Sequence, residues 1–244
     1  MLARAGLHHQ VQVSLGQQGA LVRQAGQATS SFGTRRYGTM RSLCSDPIGR
    51  LRKIPVWSYW DGAFSDEELD AIAGICEKLE LNDAGVTVNE KDVKVDETIR
   101  STKTGFLQPT EETAWIFKRL FGVAADINSR FYEYDLNGCG FLQFARYVNV
   151  GDGYCWHVDG GIGDTAIVQS DIQPRKLSMV LALTDPKRYE GCELQVRIGP
   201  KPATIPMPRG RIAIFPSFVL HRVAPLELGV RETLTAWIVG PNFR

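Results

Sequence analysis

From Cys139 onward the chain is a succession of short apolar runs, and this pattern restricts the fold more than any other feature. The runs are "CGFLQFARYVNV", "YCWHVD", "RKLSMVLALT", "CELQVRI", "GRIAIFP", "FVLHRV" and "ETLTAWIV". Clusters of Gly, Pro and Asp such as "VGDG", "DPKRYEG" and "MPRG" cut them apart. Short β-branched and aromatic runs between turn residues read as strands. In "KLSMVLAL" apolar residues fall on both parities, so this strand is predicted to be buried on both faces. The part before Cys139 reads differently. "SDEELDAIAGICEKLEL" opens on Ser65 with Glu68 three residues later, a capping box. Leu69, Ile72, Ile75 and Leu79 then recur at helical spacing. "EETAWIFKRLFGVAADINSRF" predicts a second helix with Ile116, Leu120, Ala124, Ile127 and Phe131 along one face. Between the helices, "TIRSTKTGFL" (Thr98–Leu107) predicts one strand. Strands following helices predict a mainly β, α+β architecture: a sandwich or barrel with helices packed outside.

The first 45 residues stand apart. They hold five arginines and no Asp, Glu or Lys, so the remaining residues carry 1 − 5 = −4 of the +1 total. An Arg-rich, Ser-containing, acid-free leader without a continuous apolar segment fits an organelle transit peptide, and "TRRYGTM" (Thr34–Met40) would suit a cleavage region. A disordered tail, or an upstream start codon with Met40 as the true start, accounts for the same composition. The leader, with His8 and His9, is therefore set aside, and residues 46–244 are read as one domain, with helical support over 62–135 and a β core over 139–244. A mitochondrial or plastid destination follows if the leader is a transit peptide, and a cytoplasmic one otherwise. The mildly acidic body predicts no nucleic-acid surface. No apolar run reaches the ~20 residues of a membrane span. Five cysteines without a C-x-x-C pair argue against a disulfide framework and a thiolate zinc site. Oligomeric state is not legible.

The chemistry centres on "YCWHVDGG" (Tyr154–Gly161). In a strand, residues two apart project to one face, so His157 and Asp159 would point together. Outside the leader there is one further histidine, His221, also near the end of an apolar strand. Two histidines and a carboxylate make the facial triad of non-heme Fe(II) oxygenases, with open positions for a co-substrate and O₂. Arg231 follows His221 by ten residues, at the start of the last strand. A buried arginine needs an anion, and its planar fork suits a carboxylate. A dicarboxylate could chelate the metal at one end and pair with Arg231 at the other. Each residue also has a plainer reading: a hydrogen-bonded strand end for the His-x-Asp pair, a core histidine for His221, and a salt bridge to Glu193 or Glu227 for Arg231.

Three blocks carry a family resemblance: "LQFARYVNVGDGYCWHVD", "RKLSMVLALTDPKRYEGCELQV" and "FPSFVLHRVAPLELGVRETLTAW", with the ending "GPNFR". Together they resemble the Fe(II)/2-oxoglutarate dioxygenases of the prolyl 4-hydroxylase-type (PKHD-like) branch, from about Trp57 to Arg244. The resemblance implies a double-stranded β-helix, or jelly-roll, core. It implies His157, Asp159 and His221 as iron ligands and Arg231, Tyr147 and Thr235 around the 5-carboxylate of 2-oxoglutarate. Arg100 and Ser101, on a strand resembling the family's substrate-facing one, become substrate-side candidates, with Tyr154 at the mouth and Trp237 as either site wall or core. Trp156 is also expected by the mouth.

The implied reaction consumes 2-oxoglutarate and O₂, releases succinate and CO₂, and hydroxylates an unactivated C–H bond, with ascorbate as the usual reductant. Peptidyl proline is the first-choice substrate; a free amino acid or other small molecule, or a non-enzymatic jelly-roll metal-binding module, are the alternatives. One departure from the family pattern is Cys192, which replaces the second glycine of Gly-Gly-Glu-Leu, so the turn there is expected to differ. The segment after Asp159, "GGIGDTAIVQSDIQP", is expected to form a loop or lid.

Overall fold

The computed structural model describes residues 54–89, 92–96, 98–160 and 173–242, together with the backbone of 11–14. Its elements are β1 (Val11–Ser14), β2 (Trp57–Trp60), α1 (Asp66–Glu77), β3 (Asn82–Asp83), β4 (Gly85–Asn89), β5 (Asp92–Val95), β6 (Arg100–Ser101), β7 (Lys103–Leu107) and α2 (Ala114–Ile127). There follow β8 (Leu142–Tyr147), β9 (Gly153–His157), β10 (Arg175–Ala182), β11 (Tyr189–Gly191), β12 (Leu194–Arg197), β13 (Ala203–Thr204), β14 (Ile212–Pro216), β15 (Leu220–Val223), β16 (Leu226–Gly229) and β17 (Arg231–Val239). A large antiparallel sheet runs β1-β2-β14-β10-β17-β8-β7-β3, and a smaller one runs β13-β12-β15-β9-β6. Each of the seven apolar runs named from the sequence overlaps one of these strands.

Alternation along the large sheet divides the interior in two. Leu142 and Phe144 of β8, Leu177, Met179 and Leu181 of β10, Ile212 and Ile214 of β14, and Leu234, Ala236 and Ile238 of β17 join one core cluster. That cluster also holds Leu69, Ile72 and Cys76 of α1 and Ile116, Leu120, Ala124 and Ile127 of α2, so the helices cover this face. Burying each such aliphatic side chain stabilises by about 1.5–3 kcal/mol. The alternate residues of β10 and β14, among them Val180 and Phe215, pack with Leu194 and Val196 of the small sheet. The central strand β10 is thus buried on both faces, as its two-sided apolar pattern predicts.

Local signals behave largely as read. Ser65 caps α1 through a reciprocal box: its Oγ accepts from Glu68 N at 3.2 Å, and Glu68 accepts from Ser65 N at 3.0 Å. The second helix ends differently from the simple pattern. Past Ile127 it widens into a π turn over Asn128–Tyr132. The extra residue carries Tyr132 into the core, while Phe131 is only partly buried. "TIRSTKTGFL" needs a larger correction. It is not one strand but two: β6 pairs with β9 in the small sheet, and β7 pairs with β8 in the large one. Thr102 sits at the crossing, its hydroxyl donating to Arg146 O at 3.0 Å. Of the leader, Val11–Ser14 pairs antiparallel with Trp57–Trp60; its other residues lie outside the described ones. The segment expected to form a lid falls largely on 161–172, also outside them.

Two left-handed glycines pin the turns that deliver β17. Gly191 (φ 73) and Gly229 (φ 83) lie where a Cβ would meet Pro225 O at 2.3 Å and Arg188 O at 2.2 Å. Gly229→Ala is expected to lower unfolding free energy by roughly 2 kcal/mol or more, read as a shift of the denaturant midpoint.

Candidate active site

The face of the large sheet turned away from the helices lines a cavity of about 270 Å³. Period-two geometry selects its wall. Gln143, Ala145 and Tyr147 of β8, and Arg231, Thr233, Thr235 and Trp237 of β17, all face it. The small sheet closes it from the other side with Tyr154, His157, His221 and Val223.

His157 and His221 are direct partners in the β9–β15 register, which places their rings 4.1 Å apart. Asp159 lies just past the end of β9, held by Asp159 N donating to Ser217 O at 2.9 Å. Asp159 is therefore positioned by a chain turn, not by strand alternation. Its carboxylate reaches both rings, with Oδ1 3.6 Å from His157 Nε2 and Oδ2 3.5 Å from His221 Nε2. Donors ~2.1 Å from one ion at right angles would be ~3 Å apart. A small inward movement thus suffices to hold a metal.

Each imidazole is oriented for that role. His157 Nδ1 lies 2.8 Å from Cys155 O and His221 Nδ1 2.9 Å from Val219 O. A carbonyl can only accept, so Nδ1–H donates to it, and Nε2 is the atom presented to a metal. Burial holds His221 below its ordinary value, favouring the neutral, ligating form. Burial alone would raise Asp159, but His157, His221 and the Ser178 hydroxyl together hold its carboxyl far below the usual range. Ser178 Oγ donates to Asp159 Oδ2 at 2.6 Å and lies 3.0 Å from Ser217 Oγ.

A β-bulge in β9 arranges the next layer. His157 faces His221 and Tyr154 faces Val223, so three steps on β9 match two on β15. The extra residue turns both Tyr154 and His157 inward, where the phenol ring stacks on the imidazole at 3.5 Å and 17°. Arg100 covers Tyr154, its Cζ 4.6 Å from the ring centroid. The bulge sends Trp156 outward, between Arg222 and Arg197, and not to the mouth as expected.

Arg231 is 2% exposed, yet Nη1 and Nη2 are buried without a hydrogen-bond partner. Among the described residues no carboxylate is in ion-pair range, so the salt bridge to Glu193 or Glu227 is not formed. Tyr147 is its cross-strand partner, with the guanidinium 5.3 Å from the ring centroid. Burial pushes the Tyr147 phenol up, keeping it a neutral donor. Orphaned donors on a buried cation fit an absent anion.

Of the other expected residues, Arg100, Tyr154 and Trp237 line the cavity, Trp237 as wall. Ser101 does not: its hydroxyl donates to Asp152 Oδ1 at 2.6 Å, and Asp152 in turn accepts from the Val148 and Asn149 amides. It anchors the turn before β9. Sequence reading missed Gln143, Arg175 and Ser178. Gln143 Oε1 accepts from Arg100 Nη2 at 2.8 Å. Arg175 lies 4.1 Å over the Trp237 ring and donates to Asp159 O at 3.2 Å. The signal for Gln143 was its parity with Tyr147; for Ser178, it was being the hydroxyl inside an apolar strand. The turn at Cys192 keeps the left-handed conformation a glycine would take (φ 58), despite the side chain.

Comparison with known proteins agrees with this geometry. The family model described as the 2OG-Fe(II) oxygenase superfamily matches residues 142–239. A PKHD-type hydroxylase of Gloeothece citriformis (strain PCC 7424) is 30% identical over 178 residues, covering 70% of this chain and 72% of that protein. Shorter alignments to other PKHD-type hydroxylases span 37–41% of those proteins' length. The fold is similar to a Pseudomonas putida prolyl-4-hydroxylase (TM-score 0.59, 22% identity, 77% of this chain and 94% of that one). It is also similar to a Trichoplax adhaerens prolyl hydroxylase in complex with a hypoxia inducible factor peptide fragment (TM-score 0.58, 18% identity, 76% and 84%).

Ser178→Ala removes a hydroxyl that orients the Asp159 carboxylate. It is expected to weaken divalent-metal binding by roughly 10–100-fold without unfolding the domain, checked by anaerobic Fe(II) titration alongside circular dichroism.

Proposed function

The chain belongs to the 2OG-Fe(II) oxygenase superfamily, and from that premise we propose that it hydroxylates an unactivated C–H bond on a prolyl residue of a peptide or protein. In this reading His157, Asp159 and His221 hold Fe(II), and 2-oxoglutarate lies between the metal and Arg231. When bound, the metal and its co-substrate supply O₂ activation. The balance is 2-oxoglutarate + O₂ + R–H → succinate + CO₂ + R–OH. One oxygen atom enters succinate and the other the product. Ascorbate is the proposed reductant that keeps the metal ferrous.

The observation that carries this reading is Arg231: a buried guanidinium with both terminal nitrogens unpartnered, in the same cavity as the His157–Asp159–His221 cluster. A 5-carboxylate would accept from both nitrogens, a bidentate pairing. Tyr147 would add a phenolic donor, and Thr235, four residues on and on the same face, a hydroxyl. The chain's own contribution is then to bind, orient and exclude water. Arg231 fixes the remote end, and the His157 and His221 backbone contacts fix the ligands.

On the substrate side, Arg100 Nε and Trp237 Nε1 are also buried without partners, and Arg175 stands over Trp237. Such donors beside aromatic walls suit the carbonyls and ring of a prolyl peptide. The peptide-bound Trichoplax relative of the same fold supports this choice. The same groups would also donate to the carboxylate of a free amino acid, which is the second reading.

The primary test is mass spectrometry of proline-containing peptides and of free amino acids after incubation with Fe(II), 2-oxoglutarate and ascorbate. Gain of one oxygen on proline is expected, with matching succinate; gain on a free amino acid alone would replace the peptide reading. His157→Ala is expected to abolish succinate release. Arg231→Ala is expected to weaken 2-oxoglutarate binding by about 100-fold while leaving metal affinity nearly unchanged, measured by separate titrations. Equal loss of both would signal misfolding and count against the assigned role.

A further inference from the structure

Cys192 combines three features that no part of the chemistry above uses. It is one of two non-glycine residues among the described ones with positive φ, at 58°. Its side chain is completely buried. It also packs in a small cluster with Ala145, Tyr147 and Leu226, apart from both large cores, with its thiol beside the Arg231 guanidinium. A side chain in the left-handed region is strained relative to glycine, and such strain persists only where the surroundings impose it. Here Cys192 N donates to Pro225 O at 2.9 Å, and Ala224 N donates to Glu193 O at 3.0 Å. The turn is thus fastened on both sides, and the Cys192 side chain is held in the small cluster that contains Tyr147.

The thiol does not line the cavity, which Tyr147 and Arg231 do. It packs in a cluster with Tyr147. Burial pushes it up to about 11, so it is a neutral, space-filling group. We propose that Cys192 is a positioning residue that holds the Arg231–Tyr147 pair forward, and so sets the distance between the anion-binding end of the cavity and the metal end. Through that distance it fixes the chain length of the 2-oxo acid accepted. The proposal rests on the co-substrate reading of Arg231. Its physical basis is close packing: removing the sulfur leaves a void in the cluster that holds Tyr147, and the side chains around it shift to fill it. A dicarboxylate held at both ends responds to such a shift more than one held at a single end.

The test uses the full chain loaded anaerobically with Fe(II). 2-Oxoglutarate and 2-oxoadipate, one methylene longer, are titrated separately, following the charge-transfer absorption each gives on chelation. Wild-type protein is expected to prefer 2-oxoglutarate. Cys192→Ala and Cys192→Gly are each expected to weaken 2-oxoglutarate binding about tenfold and to shift the preference toward 2-oxoadipate, with Fe(II) affinity retained. Cys192→Ser, close in size, is expected to keep the wild-type preference. A merely structural role would not move the ratio of the two affinities. Denaturant unfolding tests the strain separately: the Gly variant, although it loses more atoms, is expected to unfold at higher denaturant than the Ala variant. Unchanged selectivity in folded Ala and Gly variants overturns the proposal alone. Wild-type protein that binds neither oxo acid overturns the co-substrate reading and this proposal with it.

Discussion

Period-two alternation along a sheet buried on both faces is the constraint on which the rest of this structure depends. β17 shows it most clearly. Leu234, Ala236 and Ile238 face the helices, while Arg231, Thr233, Thr235 and Trp237 face the cavity. β8 repeats the arrangement with Leu142 and Phe144 on one side and Gln143, Ala145 and Tyr147 on the other. A slip of one residue would drive the guanidinium into the helix-packed core and the leucine into the cavity. Burying an unpaired guanidinium costs several kcal/mol. The aliphatic face of the same strands, at about 1.5–3 kcal/mol per side chain, offsets that penalty and holds the register that keeps Arg231 facing the cavity.

The small sheet supplies the opposite wall by departing from regularity. A bulge in β9 brings Tyr154 onto the same side as His157, and the strand pairing sets His157 against His221. The carboxylate then arrives from the turn beyond, tied to Ser217 and Ser178. Irregular backbone between two sheets thus delivers Asp159, the third candidate ligand, while the imidazoles sit on strands and are locked by Cys155 O and Val219 O.

Charge ties the two walls together. Arg100, Arg175 and Arg231 line the cavity against a single carboxylate, Asp159. The hydrogen-bond partners leave that charge unneutralised: Arg100 donates to Gln143 and Arg175 to a backbone carbonyl, both neutral, and the Arg231 terminal nitrogens reach no partner. A cavity with this imbalance favours a dianion, and the proposed co-substrate is one. The same geometry gives Cys192 its interest, because the group that sets where Arg231 stands also sets how long that dianion can be.

The amino-acid sequence by itself determined the strand content of the C-terminal part, the two helices and the two-sided burial of "KLSMVLAL". It also determined which histidines were available as candidate ligands, because only His157 and His221 lie outside the leader. Those are local properties, legible from periodicity, turn residues and scarcity. The tertiary structure decided the rest. It split "TIRSTKTGFL" between two sheets at Thr102, turned Trp156 away from the mouth, removed Ser101 from the cavity to a loop anchor, and brought Gln143, Arg175 and Ser178 in. Each of these depends on a bulge, a sheet crossing or a partner far along the chain, such as Ser178 meeting Asp159 across nineteen positions. Period-two reasoning assumes an unbroken strand; where the backbone bends to close one sheet over another, facing direction is set by the packing of the two sheets and not by the local pattern.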